Sequence, residues 1–203
     1  MALRQILAKF RSMTFVIRTL ALMVALLATP ALAAPETYRL NMDASSVGFT
    51  YQFQGTPRNG LMPVSNAVMA LDLDNIARSQ VDVTLNAARA TAGALFMTST
   101  MKGPNVLNTA QHPTITFTST SIEGSLRGAK VTGDLTIRGV TRPVTLTAGL
   151  YRQQGTDRTD RSRLIVQLSG SVSRSAFGAS GFPGFVADEI DLNIIAYIER
   201  PPG

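Results

Sequence analysis

Few side chains in this 203-residue chain are equipped for chemistry, and their spacing narrows the choice further. His112 is the only imidazole, and there is no cysteine. A serine-hydrolase triad would have to run through His112, yet no G-x-S-x-G turn occurs and Pro113 restricts the backbone of the residue before it. One imidazole without other strong ligands at close spacing also makes a poor metal site. Asp72 and Asp74 are close neighbours, and Asp188, Glu189 and Asp191 cluster later. Neither group has the glycine and ligand spacing of a calcium loop, so both read as solvated charges of turns and strand edges. Ser169, Ser171 and Ser173 alternate along one run with no base beside them, which suits the polar face of a strand better than a nucleophile. The cysteine and histidine counts exclude zinc-finger, iron–sulfur, haem-thiolate and cysteine-protease chemistry. No Gly-rich phosphate loop precedes a helix, and no aromatic-basic interleaving marks a nucleic-acid platform. These residues point away from catalysis, and the expectation is a protein that is not an enzyme, with no cofactor, no metal and no nucleic-acid partner.

The apolar inventory is more informative. Phe49, Tyr51, Phe53, Phe96, Met97, Met101 and Phe117 are large, and several fall on strand faces pointing one way. Taken singly, each is an ordinary core residue. Taken together inside a barrel they would line a long apolar pocket, the usual character of a small-molecule site. Met97 and Met101 suit a flexible ligand because thioether side chains adapt their shape. Leu135, before a short basic turn, and Val144 and Leu146, after it, are candidates for the same wall. Arg138 and Arg142 flank that turn and are placed to hold an anionic head group by charge-assisted hydrogen bonds. Exposed hairpin charges with no such role are the commoner case.

The elements that must position these residues are strands. Val47, Phe49, Tyr51 and Phe53 alternate with small and polar residues, as do Val81, Val83 and Leu85. Ile115 and Phe117 repeat the pattern, followed by Leu164, Val166 and Leu168, then Ile190, Leu192, Ile194, Ala196 and Ile198. A strict period of two signals half-buried strands, and the abundance of Thr and Val fits a pleated surface. Turn chemistry separates the runs: GTPRNG at 55–60, EGSLRG at 123–128, RGVTRP at 138–143 and the polar tip QQGTDRTDRS at 153–162. Residues 72–79 allow a single helical turn. The stretch 92–107 is the one better helical excursion, broken by Gly103-Pro104. About eight antiparallel strands without parallel crossovers leave a sandwich or an up-and-down barrel. A barrel of about eight strands is either filled by its own side chains or holds one small ligand.

The N-terminus reads as a targeting segment. Arg4, Lys9, Arg11 and Arg18 precede the apolar run LALMVALLA (20–28), then Pro30 and the triplet Ala31-Leu32-Ala33. A basic flank, a short apolar run and an A-x-A site describe a secretory signal peptide, with cleavage expected after Ala33. The run is shorter than the roughly 20 residues a membrane span needs. The expected product is a periplasmic domain over 34–203, with no integral membrane segment after cleavage. All four charges of the segment are basic, so the formal +6 of the chain falls to +2 without it. The basic excess is therefore no argument for nucleic-acid binding.

Several segments together resemble the YceI-like family of exported lipid- or polyisoprenoid-binding domains. The carriers are HPTITFTST (112–120) and VTGDLTIRGVTRPVTL (131–146), supported by SSVGFTYQF, MKGPNVLNTAQ and AFGASG (176–181). The resemblance runs from about Tyr38 to Ile198. It implies an antiparallel lipocalin-like barrel whose interior takes a long isoprenoid or acyl chain, and no catalytic machinery. Many members carry a histidine before the first strand's serine and another at that strand's end. Here those regions read DASSVGF and YQFQGTPRNG, so no head-group role of those histidines carries over. The leading expectation is a carrier for a polyisoprenoid, quinone-like or fatty-acyl lipid. The alternative is a ligand-free structural or stress-response interaction module of the periplasm, self-associated as a homodimer.

Overall fold

The computed structural model describes residues 34–201, so the targeting segment read over 1–33 lies outside the described residues. Ten strands follow in order: β1 (Glu36–Leu40), β2 (Ser46–Phe53), β3 (Thr56–Leu61), β4 (Val64–Leu71), β5 (Gln80–Asn86), β6 (Thr114–Ser125), β7 (Gly128–Ile137), β8 (Val140–Arg152), β9 (Arg163–Ser173) and β10 (Val186–Glu199). One helix, α1 (Leu95–Lys102), interrupts them between β5 and β6.

The ten strands form eight staves of a closed antiparallel barrel. β1 and β2 run end to end along β10: Leu40 faces Ile198, then Ser46 faces Ile195 and Phe53 faces Val186. β3 and β4 run end to end along the same stave from its other side, β3 against β2 and β4 against β1. From β4 to β10 each strand pairs with the next, and β10 meets β1 to close the ring. Cross-strand hydroxyl contacts tie the outer face, among them Thr132 with Thr145 and Thr136 with Thr141.

Connections at the two ends of the barrel differ in size. At the first end lie 72–79, the tight turn 126–127 and the polar tip 153–162. At the second end, hereafter the mouth, lie the turns 54–55 and 138–139, the long excursion 87–113 and the connection 174–185. Beyond the Leu61–Thr91 bridge, the free edge of β3 has no strand beside it, and the excursion follows that edge.

Two local readings change. The TPRNG stretch, expected as a turn, is strand β3; a proline is tolerated there because β3 is an edge stave that lacks a second partner along most of its length. Within 92–107 only Leu95–Lys102 is helical, and the remainder is turns. The single turn expected in 72–79 is a 3-10 turn over Ile76–Arg78. At the first end Tyr38, Leu164 and Ile198 are the most deeply buried large side chains of the wall, 1%, 2% and 0% exposed. The Tyr38 hydroxyl donates to the Arg161 carbonyl at 2.8 Å. Leu73 and Ile76 fold back from the 72–79 connection onto the Tyr38 and Ile122 clusters.

Candidate functional site

Inward residues of an ordinary filled barrel are buried. Here many are not. Val47, Phe49 and Phe53 on β2, Val83 and Leu85 on β5, and Phe117 on β6 all face inward yet remain half-buried. The cause is a cavity of about 640 Å³ that runs between the three core clusters. That volume falls in the range of about 300–1,000 Å³ typical of small-molecule sites. The filled-barrel alternative does not describe this interior.

All ten apolar candidates line the cavity: Phe49, Tyr51, Phe53, Phe96, Met97, Met101, Phe117, Leu135, Val144 and Leu146. The even-numbered face of β10, with Ile190, Leu192 and Ile194, joins them. Its alternation was as plain in the sequence, so it could have been named on the same signal. Two of the rings lie flat against glycines. A Cβ at Gly60 would overlap the Phe49 ring, and one at Gly133 would stand 2.5 Å from the Phe117 ring. Each glycine thus makes room for an aromatic from the neighbouring strand. The Tyr51 hydroxyl donates to the Ala92 carbonyl at 2.9 Å, tying the start of the excursion to the wall. Burial pushes the Tyr51 phenol above its ordinary value, opposed by the Arg58 charge.

The wall contains no carboxylate, histidine or lysine, and its one charged side chain among the described residues is Arg174, 9% exposed. Its guanidinium donates to the carbonyls of Ala179, Gly181, Val186 and Ala187. Those four bonds use most of a guanidinium's five donors, so Arg174 staples the 174–185 connection across the mouth. Sequence reasoning passed over it because it follows Ser173 in a run read as a polar strand face.

Arg138 and Arg142 do not line the cavity. Arg138, in the left-handed region at φ 53°, donates to the carbonyls of Val106 and Gly178 and so joins the two long connections at the mouth. Arg142 approaches the Ala176 carbonyl at 3.5 Å. His112 also lies outside the cavity, its ring against the turn glycine Gly139. Ser173 donates to Asp188 with no imidazole between them, and Asp72 organises its own turn by accepting from the backbone N–H groups of Asp74 and Asn75. Among the described residues no cluster of His, Asp or Glu could hold a metal ion.

The cavity reaches the surface at the mouth. Of its large apolar lining residues only Phe96, Phe182 and Phe185 are exposed, at 71%, 43% and 52%, and all three sit on the mouth connections. Phe185 stacks on Phe53 with ring centroids 6.4 Å apart.

Comparison with known proteins agrees with this geometry. The YceI-like domain profile matches residues 38–197. The chain belongs to the YceI-like family. Protein YceI of Escherichia coli is 33% identical over 129 residues, covering 64% of this chain and 67% of that protein. Among solved structures, BcnA of Burkholderia cenocepacia superposes with a TM-score of 0.70 at 20% identity, covering 78% of this chain and 99% of BcnA. A polyisoprenoid binding domain from Saccharophagus degradans, implicated in plant cell wall breakdown, superposes with a TM-score of 0.58 at 13% identity, covering 81% and 98%. At those identities the two structures establish the shared YceI-like barrel fold.

Proposed function

We propose that this YceI-like protein is a periplasmic carrier that holds the tail of a long-chain amphiphile, an isoprenoid first and a fatty-acyl lipid second, and that it performs no catalysis. The observation that carries the reading is the 640 Å³ cavity with an apolar wall and a single charged side chain already committed to backbone carbonyls. A similar barrel described as polyisoprenoid-binding supports the choice of tail. Burying about ten tail methylenes contributes roughly 8 kcal/mol at about 0.8 kcal/mol each. That gain is of the size needed to offset the loss of freedom on association.

Export by the N-terminal segment, with cleavage after Ala33, completes the proposal. Among the described residues no helix is long and apolar enough to cross a membrane. Mass spectrometry of the exported protein tests both parts. The intact mass reads the cleavage site, and native spectra before and after organic extraction read the cargo. A stoichiometric adduct that extracts as an isoprenoid or acyl lipid is the expected result. A bare protein mass, unshifted by added polyprenyl phosphate or quinone, would overturn the carrier reading.

A further inference from the structure

The mouth differs from the other end in charge as well as in exposure. Its connections carry Arg89, Lys102, Arg138 and Arg174 and no Asp or Glu. Arg58 and Arg142, both exposed, add two more cations on the strand ends beside them. The nearest carboxylate on β10, Asp188, accepts from the Ser173 hydroxyl and the Ser175 N–H and keeps its charge beside Arg174. The first end instead mixes Asp72, Asp74, Asp157 and Asp160 with Arg78, Arg127, Arg158 and Arg161. Hydrogen bonds cancel no charge on either side, so six cations stand against the carboxylates of Asp134, Asp188 and Glu189 and the mouth keeps a net positive field.

Within that basic collar stand the exposed side chains Phe96, Phe182 and Phe185, and Leu95, which is 90% exposed and points away from the cavity. Aromatic and aliphatic side chains projecting from a cationic rim match the interface of an anionic bilayer, where rings enter the head-group layer and Lys and Arg meet lipid phosphates. We infer that the mouth is a docking surface for an anionic phospholipid membrane. The three phenylalanines belong to both the rim and the cavity wall, so a tail leaving the bilayer would pass onto protein without crossing water. That consequence rests on the carrier reading, whereas docking itself does not.

The test uses the exported protein and vesicles of phosphatidylethanolamine with phosphatidylglycerol, compared with phosphatidylcholine alone, in a sedimentation assay. Binding to the phosphatidylglycerol vesicles, weakened by salt, is expected. Leu95→Glu should weaken it about tenfold, and Lys102→Glu by a similar factor together with a flatter salt dependence. Circular dichroism confirms the fold of each variant. Equal binding to both vesicle types, or a folded Leu95→Glu protein that binds as tightly as the parent, would overturn the inference. Native mass spectra of the same samples keep the two ideas apart. Because Leu95 lies outside the cavity, a lipid adduct retained while docking falls supports docking by the rim. An adduct on a parent protein that never docks overturns the docking surface and leaves the carrier standing.

Discussion

The two ends of the barrel are built from the same eight staves and end in opposite chemistry. At the first end Tyr38, Leu164 and Ile198 are buried, and Arg161–Asp74 and Arg200–Glu36 pair their charges across the rim. At the mouth Phe96, Phe182 and Phe185 are exposed although Phe177 is buried, the cations have no carboxylates among them in the connections, and α1 buries none of its residues. Packing density is where a domain gains stability, and loosely packed elements are where it opens at least cost. The exposed α1 and phenylalanines are therefore where the mouth can open to a ligand, while buried side chains at both ends hold the barrel together.

The largest expected effect separates the ends by stability. Tyr38→Ala should destabilise the fold by about 3–5 kcal/mol, as large-to-small core changes do. Phe96→Ser should stay within about 0.5 kcal/mol. Urea titration of both variants reads the difference, and equal losses would erase the distinction between the ends. Next comes the cavity between them. Phe117→Asp places a carboxylate in an apolar wall and should lower lipid loading about a hundredfold, because tail burial would now have to desolvate a charge. Phe49→Asp should behave alike; folded variants that keep the adduct would remove these rings from the site.

A smaller effect tests the staple at the mouth. Arg174→Met leaves the carbonyls of Ala179, Gly181, Val186 and Ala187 without their donor. The expected loss is about 2–3 kcal/mol, with water making good part of the deficit. Hydrogen exchange should rise in 174–185 and leave β1 and β9 protected. The smallest effect is a pH response in the same region. Hydrogen bonds from Ser173 and Ser175 hold the Asp188 carboxyl below the usual carboxylate range. Its stabilisation is thus present above the unfolded pKa and lost as pH falls through the folded one. Acid should loosen 174–185, and Ser173→Ala should blunt that response.

The strand faces were legible because alternation with period two is a direct record of two-sidedness. Phe49, Phe117 and Leu135 could be assigned to the inner face from it. Whether that face meets a packed core or a cavity was not legible, since Leu135 is buried and Phe117 half-exposed under the same local pattern. That difference arises from how far apart opposite staves stand, which no single strand encodes. β3 escaped notice because its side chains point to solvent and its Pro57 and Gly60 mimic a turn. Arg174 was hidden for the converse reason: its burial depends on a connection that folds back over it, with carbonyls five to thirteen residues further along the chain.

Gly60 and Gly133 add no side chain to the cavity, yet they set its gauge. Because each accepts an aromatic ring lying down, Phe49 and Phe117 do not stand upright across the channel. Adding a methyl group at either position would press on the ring and also on a backbone carbonyl, that of Thr91 beside Gly60 and of Thr118 beside Gly133, so the backbone would have to shift as the ring lifts into the path of a tail. A prenyl chain is thicker than a straight acyl chain at each of its methyl branches, so the narrowed channel would turn away the branched tail first. Cargo choice would then be written in two residues that never touch the cargo.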